Sequence, residues 1–139
     1  DRSGGAAIVM GVAIPIVLGG LAFGSEVAYW EFARRELQNQ ADTAAFAAGT
    51  QVRSGKTADD ATTAARYVAV ASRFRGDTDD ITVEYPPSSA PLAADGTNPN
   101  GNNSFVYVTI DDTIPRRFTK FFSSASDVSI SAEAIARIE

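Results

Sequence analysis

Residues 3–25 read SGGAAIVMGVAIPIVLGGLAFGS, an uncharged run that ends at Glu26. At a rise of about 1.5 Å per residue, a helix of this length reaches roughly 30 Å, the thickness of the hydrocarbon core of a bilayer. A secretory signal peptide has a shorter apolar region and then a small-residue cleavage site, whereas here an amphipathic helical pattern follows without a break. We therefore predict a retained membrane-spanning or filament-core helix that occupies residues 1–25.

Small residues reduce the side-chain bulk of this helix. Gly11, Gly19, Gly20 and Gly24 allow other helices to approach closely, as small residues do where helices pack in membranes. The alternative is that glycine is simply tolerated in a spanning helix. Pro15 cannot donate a backbone hydrogen bond, so it is predicted to kink or locally open the helix.

The helix is predicted to continue from Glu26 to about Ser54. Apolar residues recur there at spacings of three and four and form one stripe: Trp30, Ala33, Leu37, Ala41, Ala44, Ala48 and Val52. Alanine buries little area, so Trp30 and Leu37 are expected to contribute most of the packing energy. Tyr29 and Trp30 fit an aromatic belt at a membrane surface as well as they fit a core anchor.

Charged residues follow the apolar run directly. Glu26, Glu31, Arg34 and Arg35 are expected to set the register between neighbouring copies of the chain through charge pairs. The alternative is a solvated face, on which each pair contributes only about 0–1 kcal/mol.

Residues 26–139 are predicted to form one small α+β domain that includes the end of the long helix. Thr57 and Asp60 resemble a capping box that opens a second helix, with Val68 on its buried side and Gly76 at its end. Period-two alternation predicts three strands, at residues 81–85, 105–110 and 129–136. The expected architecture is a long helix, a second helix and a small antiparallel sheet.

Two connections carry further expectations. Residues 115–122 are predicted to form a helical turn whose Phe118, Phe121 and Phe122 cap the core, while its basic residues face outward. Residues 88–104 are predicted to be an exposed loop because they are rich in proline, glycine, asparagine and serine.

The 88–104 loop contains two motifs that need weighing. Residues 95–103 are rich in oxygen ligands but do not match the pattern of a calcium loop, so a plain turn-rich loop is favoured. Asn102 opens an Asn-Asn-Ser triplet that fits the N-glycosylation pattern, which also arises often by chance.

Composition excludes several classes of function. The chain has no cysteine and no histidine, so disulfides, cysteine metal sites and imidazole-based catalysis are absent. A formal net charge of −5 argues against nucleic acid as a partner. Paired carboxylates occur at Asp79–Asp80 and Asp111–Asp112, and acidic pairs at turns and strand edges are usually solvated. No enzyme activity, cofactor or metal is therefore predicted.

Both ends of the chain resemble a known family. The N-terminal pattern consists of a glycine, an apolar run with a central proline, an aromatic residue, Arg-Arg-x-Leu-Gln and Ala-Asp-x-Ala-Ala. Here these are Gly5, Pro15, Trp30, Arg34 to Gln38 and Ala41 to Ala45. This pattern resembles the TadE/TadG-like pilin family of tight-adherence systems. The C-terminal VYVTIDDTIPRRFTKFFSSASDVSISAEAIARI is similar to the end of short TadG-like proteins.

The resemblance implies a structural subunit of the type IV pilin superfamily. Such a subunit is inserted in the cytoplasmic membrane, handled by the pilus assembly machinery, and polymerised through its N-terminal helix into a surface filament that displays its globular domain for adhesion. The alternative is a monomeric, single-span accessory or priming protein of the same secretion system.

The resemblance is incomplete at the N-terminus. TadE-type pilins are cleaved after a glycine and carry glutamate five residues later. Counted from Gly5, that position is Met10, and a chain that starts at Asp1 leaves Gly5 uncut. The glycine therefore looks like an unused cleavage site.

Overall fold

The computed structural model describes residues 2–138. Its helices and strands, in chain order, are α1 (Arg2–Arg53), α2 (Ala58–Ala71), β1 (Ile81–Glu84), β2 (Phe105–Ile114) and β3 (Val128–Arg137). The strands form one antiparallel sheet in the order β1-β2-β3. The predicted α+β class, with a long apolar helix, a second helix and a small three-stranded sheet, is confirmed.

The chain divides into two compact units. The first, which we call the apolar unit, contains the chain up to Phe32 together with Ile114–Val128. The second, which we call the sheet unit, contains Ala33–Thr113 and the chain from Ser129 onward. The segment Ile114–Val128 therefore belongs with the N-terminal part of α1, although it lies near the other end of the sequence.

The core of the sheet unit is built from small residues of α1 and branched residues of the strands. Leu37 is 3 % exposed, and Ala41, Ala44 and Ala48 are fully buried. Gly49 lies inside α1, and a Cβ built on it would stand 3.3 Å from the Cβ of Ala136. Because alanine and glycine have so little bulk, α1 approaches β3 closely at this position.

Helix α2 begins with the predicted capping box. The Asp60 N–H donates to Oγ1 of Thr57 at 3.2 Å, and the Thr57 N–H donates to Oδ2 of Asp60 at 3.1 Å. The helix packs on β1 and buries Ala61, Ala65 and Ala69. Val68, a predicted core residue, is only half-buried because it lies beside this alanine stripe.

The predicted end of α2 is wrong. The helix ends at Ala71, and Arg73 takes the left-handed conformation (φ 69°) that a glycine usually supplies there. Gly76 has a different role, since a Cβ built on it would lie 2.6 Å from the ring of Phe74, which is buried.

Strand β1 pairs with β2 in the register Ile81↔Ile110 to Glu84↔Tyr107. Strand β2 continues to Ile114, beyond the predicted end at residue 110, so Asp111 and Asp112 lie within a strand. On the neighbouring strand, Glu133 accepts a hydrogen bond from the Tyr107 hydroxyl at 2.6 Å. Burial and this bond raise the pKa of Tyr107.

The loop before β2 is mostly exposed, as predicted, although Ala90 and Pro99 within it are buried. Glu84 accepts hydrogen bonds from the backbone N–H and hydroxyl groups of both Ser88 and Ser89. The Ser89 hydroxyl is the main cause that lowers the pKa of Glu84 to about 2. Pro87 and Pro99 are fully buried.

Candidate functional site

The first half of α1 is almost entirely exposed. Its most apolar 18-residue window has a mean hydropathy of 2.4, and none of that window is buried within the chain. By length and composition the helix can cross a membrane. Ten large apolar side chains in this half are between 54 % and 71 % exposed: Ile8, Val9, Met10, Val12, Ile14, Ile16, Val17, Leu18, Leu21 and Phe23.

The predicted helix-packing positions face open space. A Cβ built on Gly11, Gly19, Gly20 or Gly24 would have no atom within 4 Å. Pro15 lies inside α1 and does not end it. The chain's own fold therefore gives no steric reason for glycine at these four positions.

At the end of the uncharged run, Glu26 is 4 % exposed and holds the Ile114–Val128 segment. The Arg117 N–H donates to its Oε1 at 2.6 Å, and the Thr119 N–H donates to its Oε2 at 2.8 Å. Burial by itself raises the pKa of Glu26, but the hydrogen bonds from Arg117 and Thr119 outweigh it, so the pKa is lowered from its ordinary value. The carboxylate is therefore a clamp that acts in its ionised form.

Two aromatic residues of α1 contact arginines of the clamped segment. The Arg116 guanidinium lies 5.5 Å from the centre of the Trp30 ring, and that of Arg117 lies 5.8 Å from the centre of the Tyr29 ring. The Arg116 Nε also donates to the Ser126 carbonyl at 2.7 Å, which braces the segment internally. These are distances at which cation–π attraction operates.

Glu26 has hydrogen-bond partners within its own chain. Both of its carboxylate oxygens accept hydrogen bonds from the Ile114–Val128 segment. The predicted charge pairs between neighbouring copies stay a prediction. Arg34 and Arg35 are exposed, and Trp30 is half-buried, with its indole Nε1 buried and without a hydrogen-bond partner.

The prediction that three phenylalanines cap the core is wrong. Phe118 is 45 % exposed, Phe121 is 85 % exposed and Phe122 is 88 % exposed. They lie on or beside the short turn Thr119–Phe121. The Glu26 side chain accepts the backbone N–H of Thr119 in this turn, and the three rings stay exposed. Ser25, Tyr29, Arg117 and Phe118 line a cavity of about 220 Å³ beside them.

Other predicted features offer little chemistry. Asp80, Asp111 and Asp112 line one shallow depression, but no group of three or more metal-ligating side chains occurs among the residues that the structure describes. Asp95 accepts the Thr97 N–H through Oδ1 and faces the Arg137 guanidinium at 3.4 Å through Oδ2. Both of its oxygens are therefore engaged within the chain.

Asn102 of the glycosylation triplet is half-buried and shapes its own turn. Its Oδ1 accepts the N–H of Ser104 at 2.9 Å, and its backbone carbonyl accepts the N–H of Phe105.

The clamp itself was missed by sequence reasoning. Its one local signal was Glu26, the first acid after a long uncharged run. The partner backbone lies 91 residues further along the chain, and backbone donors leave no trace in the residue types.

Comparison with known proteins gives one finding. The family model described as Putative Flp pilus-assembly TadE/G-like matches residues 4–71, which include nearly all of α1 and the whole of α2. No match was found among curated proteins or among solved structures. Residues 4–71 therefore match the TadE/G-like family of Flp pilus assembly.

Proposed function

We propose that this chain is a structural subunit of an extracellular pilus-like filament. It polymerises with other copies through the first half of α1 and displays the sheet unit on the filament surface. Before assembly, the same helix holds the subunit in the cytoplasmic membrane. The observation that carries the proposal is a helix with ten large apolar side chains that its own fold leaves exposed.

The free energy of burial favours such assembly. Complete burial of a Val, Leu, Ile, Phe or Met side chain is worth roughly 1.5–3 kcal/mol, so the ten exposed side chains strongly disfavour a helix that stands alone in water. Lipid provides one solution, and side-by-side packing of many copies provides another. A helix that leaves the membrane needs the second solution.

The glycines support packing between copies. Gly19 and Gly20 face open space, so neighbouring helices can approach the backbone there. Repeated head-to-tail contacts that do not close into a ring produce an open helical polymer. The exposed parts of the sheet unit then form the outer surface, where adhesion takes place.

The test uses cells that produce the full chain. Material sheared from the cell surface is examined by electron microscopy, and the same fraction is analysed by N-terminal sequencing. We expect filaments that contain this chain. Recovery only as a detergent-soluble monomer in the membrane would contradict the proposal and favour a single-span accessory protein.

A pair of variants tests the packing mechanism. Gly19→Leu with Gly20→Leu is expected to abolish filaments, because two leucines fill the space that a neighbouring helix needs. Val17→Leu is the matched control, since it adds bulk at a side chain that already projects outward. Filaments that survive the double substitution would show that close helix approach at these glycines is not required.

A further inference from the structure

A basic and aromatic patch lies at the end of the uncharged run. The segment Ile114–Val128 contains Arg116, Arg117 and Lys120 but a single acid, Asp127, whereas the whole chain has a net charge of −5. Between and beside these cations stand Phe118, Phe121 and Phe122, all of them exposed. Positive charge and bare aromatic rings thus coincide on one short turn.

The position of this patch along α1 is determined by Glu26. Both Glu26 oxygens accept backbone N–H groups of the segment, and Glu26 is the first residue after the uncharged run. Tyr29, 45 % exposed and within cation–π distance of Arg117, adds a further ring at the same level. Where the run spans a bilayer, this level corresponds to the lipid headgroups.

We propose that residues 115–122, together with Tyr29, form a collar that binds the phospholipid surface of the membrane that α1 enters. Phe121 and Phe122 insert at the boundary between headgroups and acyl chains, and the three cations attract anionic headgroups. Aromatic rings prefer this interfacial depth, and basic residues beside it are drawn to anionic lipid. The cavity lined by Ser25, Tyr29, Arg117 and Phe118 provides room for a headgroup at the helix.

This inference rests on the membrane-inserted stage of the proposed function, but it does not require polymerisation. The collar holds the monomer at a defined depth, and a subunit that leaves the membrane must release it. A second copy of the chain is the competing occupant of the exposed rings, and the experiment separates the two.

The absence of cysteine allows a single label in the full chain. Phe122→Cys carries an environment-sensitive bimane at the collar, and Phe46→Cys carries it at a phenylalanine of the sheet unit that is 74 % exposed. Each protein is placed at one chain per lipid nanodisc, made of phosphatidylcholine alone or with one-quarter phosphatidylglycerol. Quenching by acrylamide, which is uncharged, measures access to water.

We expect the label at position 122 to be quenched several-fold less than the label at position 46 and to emit at shorter wavelength. The difference should be larger with phosphatidylglycerol. Lys120→Gln in the Phe122→Cys background should remove part of that lipid dependence. Phe121→Cys, at a side chain that is 85 % exposed, is a second label site that leaves the clamp intact.

Equal quenching at positions 122 and 46 in phosphatidylglycerol discs would overturn the proposal. Shielding that is absent with one chain per disc and present with several would also overturn it, because the occupant would be a second copy. Failure of the chain to remain in the discs would overturn the membrane premise. Loss of filaments in cells with intact shielding in discs would refute only polymerisation.

Discussion

The two halves of α1 use small residues in opposite ways. From Ala33 to Val52, small side chains let the helix pack within its own chain, and Gly49 lies so close to β3 that an added Cβ would be 3.3 Å from that of Ala136. From Gly4 to Gly24, an added Cβ on any glycine meets nothing within 4 Å. The glycine at position 49 has a packing partner within the chain, and the glycines from Gly4 to Gly24 face open space.

This difference teaches where to look for function. In the sheet unit, the alanine and glycine pattern is explained by folding, because Ala41, Ala44 and Ala48 are fully buried. In the apolar unit the same kind of pattern has no explanation within a single chain. Under the proposed function, the partner of the first half comes from outside the chain, as lipid, as another copy or as both in turn.

Truncation of a large side chain should give the largest difference in unfolding free energy between the two halves of α1. Leu37→Ala removes a residue that is 3 % exposed, and a buried leucine truncation typically costs about 2–5 kcal/mol. Leu18→Ala, at a residue 60 % exposed, should change the free energy of unfolding by less than about 0.5 kcal/mol. Urea unfolding of the full chain in mild detergent, followed by circular dichroism, measures both. Equal losses would contradict the division into a folded and an unpartnered half.

Replacement of a glycine by leucine should give the next largest difference in stability between the two halves. Gly49→Leu forces α1 away from β3, and overpacking of this kind costs about 1–3 kcal/mol. Gly19→Leu should leave the stability unchanged or raise it by up to about 1 kcal/mol, because leucine is the better helix former. The same unfolding measurement applies. A destabilised Gly19→Leu variant would show that this glycine has a packing partner within the chain.

Two glutamates, Glu26 in the apolar unit and Glu84 in the sheet unit, extend the comparison to polar contacts. Glu84 binds groups four and five residues away within the sheet unit, and its pKa is about 2. Glu84→Gln keeps the size but weakens hydrogen bonds to a charged acceptor, at an expected cost of about 1–2 kcal/mol. Because the pKa is lowered on folding, the contribution is present above the ordinary glutamate pKa and is lost as the pH falls toward about 2.

Stability measured at pH 7 and at pH 3 checks this prediction. The difference in unfolding free energy between the wild type and Glu84→Gln should be smaller at the lower pH. Glu31→Gln is the matched control, since Glu31 is exposed. This substitution should leave the stability unchanged at both pH values. A gap that grows on acidification would contradict the assigned role of the ionised carboxylate.

The local elements of this fold could be predicted because their causes are local. The capping box at Thr57 and Asp60 depends on residues three apart, and the strands depend on period-two alternation. The end of α2 was misjudged because Arg73 occupies the left-handed position that a glycine usually takes.

The candidate site could be predicted only in part. The apolar helix is visible in composition alone, whereas the Glu26 clamp joins residues 91 positions apart. The pattern of residues 115–122 predicts a helical turn whose Phe118, Phe121 and Phe122 share one side and cap the core. A cluster that faces a surface outside the chain has the same sequence pattern, so only the structure separates the two cases.

The smallest effect we predict is a local one, at the join between the two halves of α1. The pKa of Glu26 is lowered by the N–H groups that it binds, so the clamp is complete above the ordinary glutamate pKa and weakens as the pH falls through the lowered value. Trp30, the only tryptophan, lies beside Arg116 of the clamped segment, and its fluorescence should report the release. We expect the Trp30 emission of the wild type to change on acidification, while the circular dichroism signal of the sheet unit stays the same.

Glu26→Gln is the control for this release, because its side chain does not titrate. Its emission should already resemble the acid form at pH 7 and should vary little with pH. Asp127, which accepts the Arg116 N–H at 3.3 Å, is the nearby acid that an alternative explanation would invoke. A pH response of the Trp30 emission that persists in Glu26→Gln and disappears in Asp127→Asn would contradict the prediction. It would show that Asp127, within the segment, is responsible for the response and not Glu26 of α1. The collar would then lack its fixed level on the helix.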